Sequence, residues 1–147
     1  MRPRVVVVAG CAIAAAGALV AARVLSASRA AWEAGEDRIA EYNRLAGSGA
    51  DDAERRLALL REAIVSYREA ASWDLPENPW ARRSAARLVT IGQKAELADD
   101  EALAFSAYRA ARASAMETRT FAAPATEALD RASRGIARLS ARALPPG

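Results

Sequence analysis

Histidine is absent from this chain, and its single cysteine, Cys11, stands inside an apolar run. Without histidine, neither a Ser-His-Asp nor a Cys-His catalytic set can form, and zinc loses its commonest nitrogen donor. The side chain that titrates nearest neutral pH is missing as well. One cysteine permits no disulfide within the chain. No glycine-rich phosphate loop occurs, because Gly47-Ser48-Gly49 leads into Asp51 and Asp52, not into a lysine. Lysine itself is nearly absent: Lys94 is the one lysine among 21 basic residues, which with the abundant alanine suggests a GC-rich bacterial genome. The net charge of +3 is that of Arg2, Arg4 and Arg23, so residues 24–147 are neutral. A neutral domain is a poor electrostatic partner for nucleic acid despite the pI of about 9.6, and no nucleic-acid partner is expected.

Two paired acids remain as candidate chemistry, Asp51-Asp52 and Asp99-Asp100. Each pair directly precedes a helical pattern, where capping and the helix dipole account for it without acid/base catalysis. No enzyme, cofactor or metal site is expected, and no catalytic residue is assigned.

What the sequence does have is one long apolar stretch. From Val5 through Ala22 there is no charged or strongly polar side chain. Those residues make a helix of about 27 Å, close to the ~30 Å of a bilayer's hydrocarbon core. Arg23 can snorkel to the headgroups. Residues 5–25 therefore read as a transmembrane anchor within an N-terminal segment 1–25. The same stretch fits a cleavable signal peptide, with Arg2 and Arg4 as its basic start and cleavage near Ala22, giving a secreted product. Val8-Ala9-Gly10-Cys11 also resembles a lipoprotein processing box, but the apolar run continues beyond Cys11 where such proteins turn polar. The anchor is the preferred reading. The short basic N-terminus favours an N-in topology, with the domain on the periplasmic side of a bacterial inner membrane.

Beyond the anchor, helical composition continues through residues 26–50 as a juxtamembrane helix and linker, one helix reaching about Ala46 with Gly35 as its weak point. Residues 51–143 read as the helical domain, and 144–147 as a frayed tail. Ala53, Leu57, Leu60, Ile64, Tyr67 and Ala71 recur at amphipathic helical spacing behind an Asp51 or Asp52 cap. Trp73-Asp74-Leu75-Pro76 breaks that helix. Asn78-Pro79 opens a third with Ala81, Ala85, Leu88, Ile91 or Gly92, and Ala95 inward. Asp99-Asp100-Glu101 opens a fourth, with Ala104, Tyr108, Ala111 and Ala115 inward. Pro124 begins a fifth, carrying Leu129, Ile136 and Leu139. Trp73 and Trp80 are expected to pack in the core beside the Pro-rich corner.

An internal repeat links the second and fourth helices: Ala63-x3-Tyr67-Arg68-x-Ala70 matches Ala104-x3-Tyr108-Arg109-x-Ala111, 41 residues on. Small residues admit a neighbouring backbone and the ring fills the gap between. Leu88-x2-Ile91-Gly92-x2-Ala95 followed by Ala104-x3-Tyr108-x2-Ala111 resembles a tetratricopeptide repeat. Leu88 replaces that family's tryptophan, Ala95 its tyrosine, and Met116 stands where a proline often ends the unit. The resemblance covers Pro79–Thr118 and half a unit over Asp52–Pro76. It implies an all-α fold in which a transmembrane helix precedes small antiparallel helical hairpins. It also implies a concave, protein-binding surface on which Val89, Gln93 and Glu96 face a partner. Arg83, Arg87, Thr90 and Lys94 form a neighbouring stripe that reads first as a solvated face, with a clamp for an acidic peptide or carboxylate as its functional alternative. The expected function is a membrane-anchored, non-catalytic adaptor or scaffold with a protein partner and a possible homo-oligomeric state. The alternative is a small accessory subunit of a bacterial inner-membrane complex, held through its transmembrane helix, whose small residues Gly10 and Gly17 permit close helix packing.

Overall fold

The computed structural model describes residues 3–47, 52–73, 78–117 and 126–143; side chains are described from Ala14 onward, apart from Glu117 and Thr126. Five helices account for almost all of them: α1 Pro3–Gly47, α2 Ala53–Ser72, α3 Pro79–Leu97, α4 Glu101–Glu117 and α5 Thr126–Ala143. There is no strand among the described residues, so the all-α class holds. Val5–Ile13, half of the expected anchor's apolar run, have side chains outside the described set. Among the described residues no helix is long and apolar enough to cross a membrane. From Ala14 the run lasts only nine residues before Arg23, about 13 Å of helix.

Side-chain bonds between helices fix their directions. Ser28 lies by Ala70, Arg38 by Glu62 and Glu41 by Arg55, so α2 runs antiparallel to α1. Asn78 lies by Ser28 and Arg87 by Glu36, so α3 runs parallel to α1. Glu96 of α3 meets Arg138 of α5, which makes those two parallel, with α4 reversed between them. Each helix packs on the next and on the next but one, giving a progressive stack. The first buried side chain of α1 is Ser28, so its second half belongs to the bundle while Ala14–Ser26 stay largely unpacked.

Helix ends follow local chemistry. Asn78 Oδ1 accepts from the Trp80 amide, with Pro79 at the first helical position where a missing N–H costs nothing. Asp100 Oδ1 accepts from the Leu103 amide and caps α4. Its neighbour Asp99 takes a left-handed conformation, φ 56°, and the Asp100 amide then reaches back to the Ala95 carbonyl to close α3. The acid pair is thus half cap and half turn. At α2 the expected cap is not made: Asp52 occupies the position but its side chain bonds no amide. Asp51, Pro124 and the 144–147 tail lie outside the described residues.

The core joins Ala63, Ile64 and Tyr67 of α2 to Leu88, Val89 and Ile91 of α3, Leu103, Ala104, Ala107, Tyr108 and Ala111 of α4, and Ala132 and Leu139 of α5. The alanine and tyrosine positions of the 41-residue repeat, Ala63, Tyr67, Ala70, Ala104, Tyr108 and Ala111, are sealed from solvent, none more than 1% exposed, while Arg68 and Arg109 are exposed. The rings seat against glycines. A Cβ on Gly35 would stand 2.6 Å from Tyr67 Cε1, and one on Gly92 would stand 2.7 Å from Tyr108 Cε1. Gly135 of α5 closes on the other edge of Tyr108. Gly35 is therefore no weak point in α1; it is the seat of an aromatic ring. Of the expected inward residues, Ala53 is exposed and Leu57 and Leu60 are half-buried, for a reason found at the surface they line.

Candidate functional site

A cavity of about 610 Å³ opens between α1, the first half of α2 and the second half of α3. Its apolar wall is Ile39, Leu57, Leu60, Ile91 and Leu103; Arg56, Thr90 and Lys94 stand on its rim. The size lies inside the range of ligand-binding clefts, and an apolar lining with few polar groups is their usual make-up. Arg56 and Lys94 make no ion pair among the described residues, whereas the acids of this wall are occupied. Asp100 caps α4, and Glu36 is held by a tyrosine and an arginine. The rim therefore offers uncompensated positive charge.

A Tyr–Glu–Arg cluster also lines the groove. Tyr67 Oη donates to Glu36 Oε1 at 2.7 Å, and Arg87 donates two bonds to the same carboxylate, at 3.0 and 3.1 Å. Burial first, and then the Glu36 carboxylate, push the Tyr67 phenol far above its ordinary value. The arrangement recurs one hairpin later. Tyr108 Oη donates to Glu96 Oε2 at 3.0 Å, and Arg138 of α5 clamps Glu96 at 2.9 and 3.2 Å. Arg142 adds a second cation 3.5 Å away. The Arg138 hydrogen bond holds the Glu96 carboxyl below its usual range, while burial and Glu96 push Tyr108 up to about 12. In both clusters an acid on one helix, a tyrosine on the next and an arginine on the third are tied together. They bind helix to helix.

The expected partner-facing residues separate in three dimensions. Val89 is 3% exposed and belongs to the core, because α3 packs α4 on one side and α2 on the other. Glu96 is likewise taken up internally, its side chain 11% exposed within its cation clamp. Gln93 is exposed and lies off the groove. Arg87, Thr90 and Lys94 do line it. Arg83 sits at the far end of α3, its guanidinium 5.2 Å from the Trp80 ring. Trp73 is 40% exposed, contrary to the expected core position, and Trp80 is half-buried. Trp32 packs on Tyr67 with ring centroids 5.4 Å apart.

Sequence reading did not find the groove, because Ile39, Arg56 and Leu103 come from three helices whose periodicities say nothing of one another. The signal available was the raggedness of α2: Leu57 and Leu60 fall on its apolar stripe but off its most crowded line, Leu59, Ala63, Tyr67 and Ala70. Among the described residues, no three acidic or cysteine side chains gather as a metal site requires. No protein-family model matches the chain, and neither any curated protein nor any solved structure does.

Proposed function

We propose that the chain is a membrane-anchored, non-catalytic interaction module, its bundle a tetratricopeptide-like stack of hairpins that receives a protein segment in the α1–α2–α3 groove. The observation that carries this reading is the pairing of an apolar wall with a rim whose arginine and lysine have no acid of their own. An extended or helical segment with apolar anchors and flanking carboxylates fits that surface. The anchor is supported by Leu19 and Val20, which stand 73% and 64% exposed on a helix that packs against nothing there. Large apolar side chains left bare on a continuous helix suit lipid better than water.

The test is site-specific photo-crosslinking in cells on the full chain, with the reactive group at Thr90 or Lys94 and at Gln93 as the off-groove control. A discrete protein adduct at Thr90 and Lys94, lost on Leu57→Asp and weak at Gln93, is the expected result. Equal labelling at all three positions sinks the groove. Scrambling Val5–Ala22 at constant hydropathy should leave the adduct in place; its loss would favour the intramembrane accessory subunit. Retention of the chain in membranes after alkaline washing checks the anchor separately.

A further inference from the structure

The opposite end of the bundle from the groove carries a second surface. At the level of Ser28, three helices meet around a buried polar joint. Ser28 Oγ donates to the Ala70 carbonyl at 3.0 Å, and Asn78 Nδ2 donates to Ser28 Oγ at 3.0 Å and to the Trp73 carbonyl at 2.6 Å. This joint holds the end of α2 and the start of α3 beside α1, at the point where α1 leaves the bundle. On its outer side Trp80 lies 6.2 Å from Trp32, ring to ring. The guanidinium groups of Arg29 and Arg83 stand 5.9 and 5.2 Å from the Trp80 ring. Trp73 is 40% exposed, and Arg23, Arg29, Arg82 and Arg83 are all exposed. Among the described residues the same corner sets Glu33, paired with Arg29, and Glu69 against these four cations; Asp74 and Glu77, between Trp73 and Asn78, lie outside the described residues.

We propose that this Trp73–Trp80–Arg82–Arg83 corner seats on the anionic headgroup layer of the membrane that α1 enters. The inference rests on the reading of Val5–Leu25 as embedded. Two features of the surface select a lipid surface over a protein partner. The first is height: Ser28 follows Leu25 by three residues, about 4.5 Å of helix, and a headgroup layer is about 5–8 Å deep on each side of the hydrocarbon. The second is chemistry: half-exposed indoles beside arginines are what bilayer interfaces collect, the rings at the carbonyl level and the guanidinium groups among phosphates. Seated this way, the bundle stands upright on the leaflet. The groove, walled by Glu36–Asn43 of α1, then faces outward about 16–27 Å beyond Leu25.

The experiment uses the full chain in phosphatidylcholine vesicles with and without phosphatidylglycerol, in a variant whose sole tryptophan is Trp80 (Trp32→Phe with Trp73→Phe). Flotation reports the anchor; quenching of Trp80 by lipids brominated near the glycerol end of their chains reports the corner. We expect quenching severalfold stronger with phosphatidylglycerol than without, and reduced to the neutral-lipid level by Arg82→Glu with Arg83→Glu. Arg82→Gln with Arg83→Gln, a milder change at exposed positions, should fall between. A chain that fails to float overturns anchor and corner together. A chain that floats with Trp80 unquenched overturns the corner alone. Trp80 that is shielded from aqueous iodide yet unquenched by lipid assigns the corner to a protein or a second copy and overturns it equally. Quenching indifferent to lipid charge overturns the anionic headgroup as its ligand.

Discussion

Single residues here act through shape before chemistry. Gly35, Gly92 and Gly135 are the seats of two tyrosine rings that are at most 1% exposed and have no room to shift. Alanine at any of the three gains up to about 1 kcal/mol of helix propensity and loses more to overpacking. Each of these substitutions should lower stability by about 1–3 kcal/mol in urea denaturation. Gly47→Ala, where an added Cβ meets nothing within 4 Å, should be neutral or slightly stabilising. Asp99 shows the converse case. Its left-handed backbone is what glycine takes without cost, so Asp99→Gly should raise the melting temperature, with a gain of about 0.5 kcal/mol.

At the scale of helices, the Tyr108–Glu96–Arg138 cluster makes stability depend on pH at both extremes. Glu96 has a depressed pKa in the folded state, so its contribution is complete above the ordinary carboxylate range and is lost as pH falls through the lower folded value. Glu96→Gln should flatten the acid limb of the stability profile and cost about 1.5–3 kcal/mol at neutral pH, because Arg138 and Arg142 lose their counter-charge. Tyr108 behaves oppositely. Its raised pKa stabilises the fold fully below pH 10, and that support drains away as pH climbs toward about 12. The loss over that window is about 3 kcal/mol, and Tyr108→Phe should abolish its share of it. Tyrosinate absorbance followed against denaturation at each pH checks both. The Asn78 joint is the third such tie: Asn78→Ala removes the α3 cap and the donor shared by Ser28 Oγ and the Trp73 carbonyl, and should cost about 2–3 kcal/mol in the same melts.

For the molecule as a whole, the boundary of the folded unit lies inside α1. The sequence places the helical domain at 51–143, yet Trp32 and Gly35 pack on Tyr67 and Ile39 joins them against the core. A chain of residues 26–147 should therefore melt cooperatively, with a midpoint close to that of the full chain in detergent. Residues 52–147 should not, since removing α1 uncovers Tyr67 and strips Arg87 of Glu36. Circular dichroism of the two pieces distinguishes these outcomes; cooperative melting of 52–147 would return α1 to the role of a linker.

Helix number, the proline and asparagine signals at residues 78–79, and the burial of the 41-residue repeat were legible in the chain itself. Each is a local event: a missing amide, a cap, or a spacing that puts small and aromatic residues on one stripe. The apolar run Val5–Ala22 is equally local, and composition alone makes it the chain's one candidate for lipid. What no stripe reveals is which face of a helix meets which neighbour. Val89 and Glu96 are covered where a surface was expected because α3 packs on two sides, and Lys94 borders a groove because α1 ends and α2 begins near it. Trp73 and Trp80 were expected to share the core; Trp73 instead lies open at the corner where α1, α2 and α3 meet, with Trp80 half-buried beside it. Periodicity specifies that a side chain is inward on its own helix. Only the packing of five helices decides whether that direction leads to a core, a cavity or a membrane.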